Sequence, residues 1–469
     1  MNEKLARAMD SISESHIWEA AAARKIRARV FFRAVAAVLV IAILLYLPKL
    51  PTPVAATAVA QASGSRFAER PDLDDYESSK EFSAAYDAWV AQRNVLTAQT
   101  QDALSDASGF FRQSSLLYLT DERANQVWSP ANAYIALAML AEVTEGESRA
   151  QILQALGASD LDSLRQGTGA VWESAYQKGH EACELANSLW LDSALEYDPE
   201  TMDDLSYYHY ASVYQTDLGS SRASRALRAW LNNHTGKLLK GSAEGAAFPE
   251  NAVLTLASTV YLQGKWTKEF SAANNTVDVF HSPGGDVDAT YMNKKEFQTN
   301  YFWFDNFGAV SLSLKNGCQM WFFLPDEGCS PQDILGSEGY WELLTRTSDW
   351  ENSKYMKVNL SVPKFDISSG GDLKPMLENM GITDVFDLGS SDFSAITGDS
   401  PVFVTGVNQS ARVMIDEQGV KAASYIEIPG AGAAEPPEEI IDFILDRPFL
   451  FAITGVNRVP LFLGIVNQP

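Results

Sequence analysis

The stretch DEQGVKAASYIEIPGAGAAEPPEE, residues 416–439, lies 30 residues before the last residue of the chain. Its first half has the alternation of a strand. One face of that strand carries no charge and consists of Val420, Ala422, Ser424, Ile426 and Ile428. Its second half is rich in Pro, Gly and Glu, which favour an exposed loop open to proteases. The stretch therefore joins a latent strand to exposed backbone, although a hairpin arm followed by a long loop gives the same pattern.

The composition of the whole chain limits its fold and its partners. The chain has 469 residues, 46% of them apolar, and a formal net charge of −24. This apolar content supports a large core, and so acidic a chain is a poor partner for nucleic acid. Residues 100–469 mix helical and strand periods without a fixed repeat or an internal linker, which predicts one large α+β domain.

The chain lacks recognisable catalytic and metal-binding motifs. Its three cysteines, Cys183, Cys318 and Cys329, are an odd number, which argues against a disulfide framework, although Cys318 and Cys329 could pair. No pair of CxxC units, HExxH pair or G-x-S-x-G elbow occurs. We therefore predict no catalytic residue, no metal and no cofactor, and nothing in the sequence argues for an enzyme.

The N-terminus differs from the rest of the chain in charge and hydropathy. Residues 1–33 contain seven Lys or Arg and four acids, and an apolar run of about 18 residues begins at Val30. We predict a cytoplasmic tail over 1–29, a transmembrane signal anchor over 30–48, and an exported domain after it. Ala58-Val59-Ala60 resembles a signal-peptidase site, so a cleaved signal peptide is the alternative. Export without a eukaryotic sorting feature suggests a bacterium.

Between the anchor and the main domain, residues 49–99 are predicted to hold a linker and an N-terminal helical extension. The part up to residue 75 is rich in Pro, Ala and Ser and has no period. Residues 80–119 read as a helix, with four predicted packing residues: Phe110, Phe111, Leu116 and Leu117.

Further elements follow from local patterns. Ser129–Val143 begins with Ser-Pro and continues as an apolar helix. Residues 252–264, 320–325 and 358–367 read as strands. Residues 372–382 read as a short helix closed by Gly381. Two apolar runs near the end of the chain predict a strand pair, RPFLFAI and VPLFLGIV.

Five blocks of this sequence, in order, resemble the serpin family of serine protease inhibitors, and the likeness covers about residues 100–469. The blocks are VWSPANAYIALAMLAEVTEGESRAQI, LTLASTVYLQGKWTKEF, VPKFDI followed by LENMGITDVFD, EQGVKAAS, and DRPFLFAI with LFLGIVNQP. The resemblance implies an α+β serpin fold with a large central β-sheet, flanking sheets, eight or nine helices and an exposed reactive-centre loop.

The resemblance also assigns roles to residues of the opening stretch. It implies a loop hinge formed by Glu417, Gly419, Val420, Ala422, Ala423 and Ser424. Counting from Glu417 places the reactive bond between Ala433 and Ala434, and counting back from Pro448 favours a later bond, Ala434–Glu435. Alanine before the bond suits a serine protease with a small apolar primary pocket, elastase-like or subtilisin-like. No Lys or Arg lies between Ala422 and Asp446, which argues against trypsin-like targets.

A polar cluster beneath the central sheet, the shutter, is implied at Asn132, Ser258 and Gln409. At the first two positions the family usually carries Ser and Asn, so the two types are exchanged here. The exchange could keep their hydrogen bond with donor and acceptor swapped. Gln409 stands where the family usually has His.

The implied activity is that of a suicide substrate. The target's serine attacks the loop, forms an acyl-enzyme, and the freed hinge inserts into the central sheet. Each new ladder bond would contribute about 1 kcal/mol, and burying Val420, Ile426 and Ile428 about 1.5–3 kcal/mol each. We expect a monomer that reaches the membrane only through its N-terminal helix. The alternatives are a non-inhibitory serpin acting as a cell-surface binding or scaffold protein, and an enzyme on an unrelated α+β fold.

Overall fold

A computed structural model describes residues 57–62, 71, 76, 78–175, 183–235, 245–248, 252–345, 350–398, 401–404, 406–420, 438–455 and 457–469. The predicted tail and anchor, residues 1–48, lie outside these ranges. Within them, no helix is both long enough and apolar enough to cross a membrane.

The helices are concentrated in the first half of the chain. They are α1 (Ser79–Tyr118), α2 (Pro130–Glu142), α3 (Gly146–Leu156), α4 (Leu161–Ala175), α5 (Pro199–Tyr208), α6 (Ser221–His234), α7 (Pro331–Gly336), α8 (Glu338–Thr345), α9 (Lys374–Asn379) and α10 (Ser394–Thr397). Two short 3₁₀ turns occur at Ala272–Asn274 and Asp384–Phe386.

The strands run through the whole domain. They are β1 (Thr57–Ala60), β2 (Gln126–Trp128), β3 (Cys183–Asp192), β4 (Ala211–Thr216), β5 (Leu254–Leu262), β6 (Gly264–Lys265), β7 (Thr276–Ser282), β8 (Gly285–Trp303), β9 (Phe307–Ser313), β10 (Gln319–Pro325), β11 (Ser353–Pro363), β12 (Phe365–Asp372), β13 (Asn408–Ile415), β14 (Gly419–Val420), β15 (Ile440–Ile444), β16 (Phe449–Thr454) and β17 (Pro460–Val466).

The described strands form four hydrogen-bonded sheets, and two of these sheets border a cleft between β5 and β13. One sheet has the order β1-β4-β3-β5, with β4 parallel to β3 and the other pairs antiparallel. Among the strands that the structure describes, β12 pairs only with β13, and β14 pairs with β6. The remaining sheet has the order β15-β11-β8-β9-β10-β16-β17-β2, with β7 added at β8. The predicted α+β architecture is confirmed.

Helix α2 shows why the local predictions succeeded. Ser129 adopts extended backbone before the helix and Pro130 occupies its first turn, where a missing N–H costs nothing. Every residue of α2 except Ala136 is buried, as expected for a helix that is apolar on all sides. Gly381 likewise follows α9 with φ +90°.

Two predictions about packing and strand length were wrong. Phe110 and Phe111 are buried, but Leu116 and Leu117 are more than one-third exposed. The buried face of α1 continues instead through Ser114 and Ser115, which follow the phenylalanines at helical spacing. The strand predicted over 358–367 is interrupted at Lys364 and divided between β11 and β12.

The predicted linker contains a strand that the sequence analysis missed. Thr57–Ala60 forms β1 and pairs antiparallel with β4. The candidate signal-peptidase motif, Ala58-Val59-Ala60, lies inside this strand. The three cysteines all lie in the described ranges and form no disulfide, and Cys183 and Cys318 are buried.

Candidate functional site

The structure describes only the first part of the predicted hinge. Glu417, Gly419 and Val420 are described, whereas Ala422, Ala423 and Ser424 lie outside the described residues. Both candidate reactive bonds, Ala433–Ala434 and Ala434–Glu435, lie outside them as well. The described part of the site therefore consists of the residues where the loop leaves the domain and of the strands beneath them.

A tight turn at Asp416 sends the chain into the hinge. The Asp416 carboxylate accepts hydrogen bonds from the backbone N–H of Gln418 (2.8 Å) and of Gly419 (3.2 Å). Gly419 has φ +146°, and a Cβ there would collide with the carbonyl oxygen of Gly264. Only glycine fits this position, because it combines positive φ with close backbone approach.

The hinge is joined to the segment that continues β5. Gly419 pairs with Lys265 and Val420 with Gly264. The Trp266 backbone N–H donates to Gln418 O (3.1 Å), and its indole Nε1 donates to Asp416 O (2.8 Å). Val420 is only 6% exposed, so the first inward side chain of the predicted hinge is already buried. Its burial cannot contribute again upon loop insertion.

Glu417 links this turn to the start of β12. Its carboxylate forms an ion pair with Lys364 and accepts a hydrogen bond from Asn275 Nδ2. Its backbone oxygen accepts from the N–H of Phe270 (3.0 Å). The hydrogen bond from Lys364 is the main cause that lowers the pKa of Glu417, with Asn275 adding to it against the opposing effect of burial. The carboxylate is thus held charged at the junction of three elements.

Below the hinge, β5 and β13 face each other across a cleft without forming a ladder. The cleft is lined mainly by apolar side chains and the hinge valine, with Val260, Leu262, Ala411, Val413 and Val420 among them. β3 is the neighbour of β5 on its other side, and β12 is the neighbour of β13. Each strand therefore presents one edge to the cleft, and a strand placed there would have backbone partners on both sides.

The predicted shutter residues divide into two groups. Asn132 Nδ2 donates to Ser258 O (3.2 Å), and the Ser258 hydroxyl contacts Asn132 Oδ1. The same hydroxyl lies 2.6 Å from Asn187 Oδ1. This contact joins α2 to β5 with the serine and asparagine in exchanged positions. Whether the group controls sheet opening stays a prediction.

Gln409 has no hydrogen bond to that pair among those the structure describes. Its side-chain amide instead forms two hydrogen bonds with the backbone of Ser129. It accepts one from the N–H (3.1 Å) and donates one to the carbonyl oxygen (3.2 Å). The Ser129 hydroxyl in turn donates to Leu461 O (2.7 Å). Gln409 therefore ties β13 to the start of α2, while Asn132 ties the first turn of α2 to β5.

Asn187 was missed by the sequence analysis and connects the shutter to a buried charge cluster. Its Nδ2 donates to His209 O (2.8 Å). His209 Nε2 lies 2.8 Å from Glu142 Oε2 at the end of α2, and Arg165 pairs with both Glu142 and Asp204. A signal was present, since Asn187 and its neighbour Ser188 are polar residues inside the apolar run Leu185–Leu191.

Removing the Ser258 hydroxyl tests the shutter contact. Ser258→Ala removes a hydroxyl whose single proton can reach the amide oxygen of Asn132 or that of Asn187, and a buried acceptor left unpaired costs about 1–3 kcal/mol. We expect the free energy of unfolding in urea to fall by that amount. The matched control is Ser313→Ala, at an exposed strand position, where a change below about 0.5 kcal/mol is expected. Equal effects of both variants would contradict a stabilising role for the contact.

The charge cluster predicts an acid-sensitive contribution to stability. Burial alone would raise the pKa of Glu142, but hydrogen bonds from His209 and Arg165 outweigh it and lower the pKa to about 2. Because the folded-state pKa lies below the usual 4.5, the contribution is complete above about pH 4.5 and is lost as pH falls towards 2. The full contribution is about 3 kcal/mol.

Urea unfolding of the original chain and of Glu142→Gln measures this contribution. The stability difference between them should shrink by about 2 kcal/mol from pH 6 to pH 3. Glu338→Gln, whose side chain is 72% exposed, is the control and should show no such change. A pH-independent difference for Glu142→Gln would show that its charge is not the cause.

Comparisons with known proteins agree with this geometry. The family model described as serpin (serine protease inhibitor) matches residues 110–469. Serpin-Z2B of Oryza sativa subsp. japonica is 26% identical over 380 residues, covering 74% of this chain and 91% of its own length. The crystal structure of tengpin, a thermophilic serpin, in the native state superposes with a TM-score of 0.67 at 20% identity, covering 88% of this chain and all of tengpin. Human thyroxine-binding globulin superposes at 0.65 and 21% identity, covering 78% of this chain and 99% of its own.

Proposed function

Because the chain belongs to the serpin family, we propose that it inhibits serine proteases as a suicide substrate. The target protease would cleave the loop that follows Val420. The observation that carries this proposal is the cleft between β5 and β13, which has one open edge on each side and the hinge at its end. A face without charge can enter this cleft, because an unpaired charge would be buried there at high cost. The loop has such a face, formed by Val420, Ala422, Ser424, Ile426 and Ile428.

The chemical step belongs to the target protease. Its catalytic serine attacks the carbonyl carbon of Ala433, the bond to the nitrogen of Ala434 breaks, and the new amine leaves with a proton. The N-terminal part of the loop stays attached to the protease as an ester. Ala434–Glu435 is the alternative bond, one residue later.

Insertion then competes with hydrolysis of that ester. Each ladder bond formed along β5 and β13 contributes about 1 kcal/mol. Burying Ile426 and Ile428 contributes about 1.5–3 kcal/mol each, while Val420 adds nothing because it is buried beforehand. The uncleaved fold is metastable because these contacts are unavailable while the loop is intact. Insertion carries the protease along and distorts its site before water can release it.

The favoured targets are serine proteases with a small apolar primary pocket, elastase-like or subtilisin-like. Alanine precedes each candidate bond, and the segment from Ala422 to Asp446 contains no Lys or Arg. We further propose that residues 30–48 anchor the chain in a membrane, with the serpin domain outside the cell. The basic flank and the apolar run support this part of the proposal. Cleavage of the anchor would release the domain and is the alternative.

A denaturing gel tests the proposed function. The chain from Ala55, where the folded unit begins, is mixed with an elastase-like or a subtilisin-like protease. We expect an SDS-resistant band at the summed mass and a released C-terminal peptide that begins at Ala434 or Glu435. Cleavage without such a band, across several proteases, would make the chain a substrate only, and a ligand-binding role would replace inhibition.

A further inference from the structure

The loop that follows Val420 returns to the domain at β15, and its second end is fixed there. The Glu439 carboxylate forms an ion pair with Lys354. The Glu439 backbone oxygen accepts a hydrogen bond from the N–H of Lys357 (3.0 Å), and from Ile440 onward β15 pairs in parallel with β11. Contacts with two residues of β11 therefore hold the chain at the point where the loop ends.

The outer face of β15 and β11 carries three apolar side chains, Tyr355, Ile440 and Ile444, which are between 43% and 51% exposed. Ile440 is paired with Lys357, two positions along β11 from Tyr355. These side chains therefore project from the same face of the sheet. Phe443, between the two isoleucines, points to the opposite face and is buried. We call Tyr355, Ile440 and Ile444 the apolar strip.

The charged neighbours of the apolar strip have partners within the chain. Lys357 forms an ion pair with Glu296 (2.8 Å), and the Asp442 carboxylate accepts a hydrogen bond from Asn359 (2.8 Å). Among the strands that the structure describes, β15 is also the outermost of its sheet on this side. Edge strands usually carry charges that discourage association, so two exposed isoleucines on such a strand mark an interaction surface.

The candidate reactive bond lies close to the apolar strip along the chain. Ala434 precedes Ile440 by six positions, which span at most about 21 Å. The other end of the loop restrains the bond less, since 13 positions separate Val420 from Ala433. A compact protease domain of about 200 residues has a radius of gyration of about 16 Å, which corresponds to an outer radius of about 21 Å. A protease that holds this bond in its cleft therefore extends as far as the strip.

We propose that the apolar strip is a second docking surface for the target protease, in addition to the loop. It fits a serine protease with apolar side chains beside the part of its cleft that binds the residues after the cleaved bond. Burial of the strip stabilises the first, non-covalent complex. It leaves insertion unchanged, because β15 lies in a different sheet from β5 and β13. This inference rests on the proposed function, since it concerns the same protease.

Binding to a protease that cannot cleave tests the docking surface directly. The protease that reacts fastest with the original chain on the denaturing gel is prepared with its catalytic serine replaced by alanine. Its dissociation constant for the full-length chain, purified in mild detergent, is then measured by titration. We expect Tyr355→Ala combined with Ile440→Ala to raise this constant about tenfold, which corresponds to about 1.4 kcal/mol.

The matched control is Val277→Ala, which should leave the dissociation constant unchanged. Val277 is an apolar residue that is 71% exposed on β7, another strand of the same sheet.

The active protease gives a second measurement on the same chains. The second-order rate constant for loss of protease activity should fall about tenfold in the double variant. The yield of covalent complex relative to cleaved chain should stay the same, because insertion follows docking. General damage to the domain by the two substitutions would lower that yield and the free energy of unfolding in urea as well.

The outcomes separate this inference from the proposed function. Equal dissociation constants for the double variant and Val277→Ala would overturn the docking surface, even where both chains trap the protease. If the original chain is only cleaved while the double variant binds more weakly, inhibition fails and the docking surface stands. Light scattering decides whether a second copy of the chain occupies the strip instead. A concentration-dependent dimer of the original chain that the double variant lacks would overturn the proposal.

Discussion

Replacing Ala422 by arginine is expected to turn the chain from an inhibitor into a substrate. Ala422 is the second residue on the uncharged face of the loop, two positions after the buried Val420. A guanidinium carried into the cleft would lie among apolar side chains without a partner, at a cost of several kcal/mol. Insertion would then become slower than hydrolysis of the ester, since each 1.4 kcal/mol added to the barrier of a step slows that step about tenfold.

The measurement is the yield of covalent complex against cleaved inhibitor on a denaturing gel. For Ala422→Arg the complex should fall to roughly a tenth of the original yield or less. Ala423→Arg is the matched control, because the alternation of a strand places it on the outward face. It should keep most of the complex. Equal yields from the two variants would show that the loop does not insert in the predicted register.

Reversing the charge of Glu417 is expected to release the hinge from the domain. Glu417→Lys removes the ion pair with Lys364 and the acceptor for Asn275, and it sets two lysines side by side. The Glu417 side chain is only 17% exposed, so solvent screens little of this repulsion. We expect a loss of about 1–2 kcal/mol and therefore about tenfold faster loss of inhibitory capacity on storage, as the loop enters the cleft uncleaved.

A charge swap separates the pair from general damage to the hinge. Adding Lys364→Glu to Glu417→Lys restores opposite charges and should recover most of the storage lifetime. Gln418→Lys, at the exposed neighbouring position, should behave as the original. The charge swap could fail to recover the storage lifetime that Glu417→Lys has lost. In that case the acceptor for Asn275, rather than the ion pair, holds the hinge.

The parts of the fold that depend on local chemistry could be predicted from the sequence. Ser129 and Pro130 mark the start of α2, and the alternation of Leu254–Leu262 marks β5, because proline in a first helical turn and side-chain periods act over a few residues. The glycine of the hinge could be recognised too, and the collision that any side chain would meet at Gly419 now supplies its reason.

Contacts between distant parts of the chain could not be predicted in the same way. Glu417 and Lys364 lie 53 positions apart, and nothing in either neighbourhood specifies the other. β1 consists of Thr, Ala and Val in a stretch without a period, so only its pairing with β4 identifies it as a strand. The exchange of Asn132 and Ser258 suggested a hydrogen bond, but Asn187 as the third member required the register of β3 with β5.

Moving β5 and β13 apart by one strand spacing, about 4.8 Å, would make space for one strand, and this limits how many proteases one molecule of the proposed inhibitor could trap. Once its own loop fills the space, no second space of this kind remains between those two strands. Each molecule is then spent after a single encounter, whether that encounter traps a protease or merely cuts the loop. Each inhibitor molecule would remove at most one protease molecule, so protection would scale with the amount of inhibitor and would have no turnover number. A cell that relies on it must replace the protein as fast as proteases arrive.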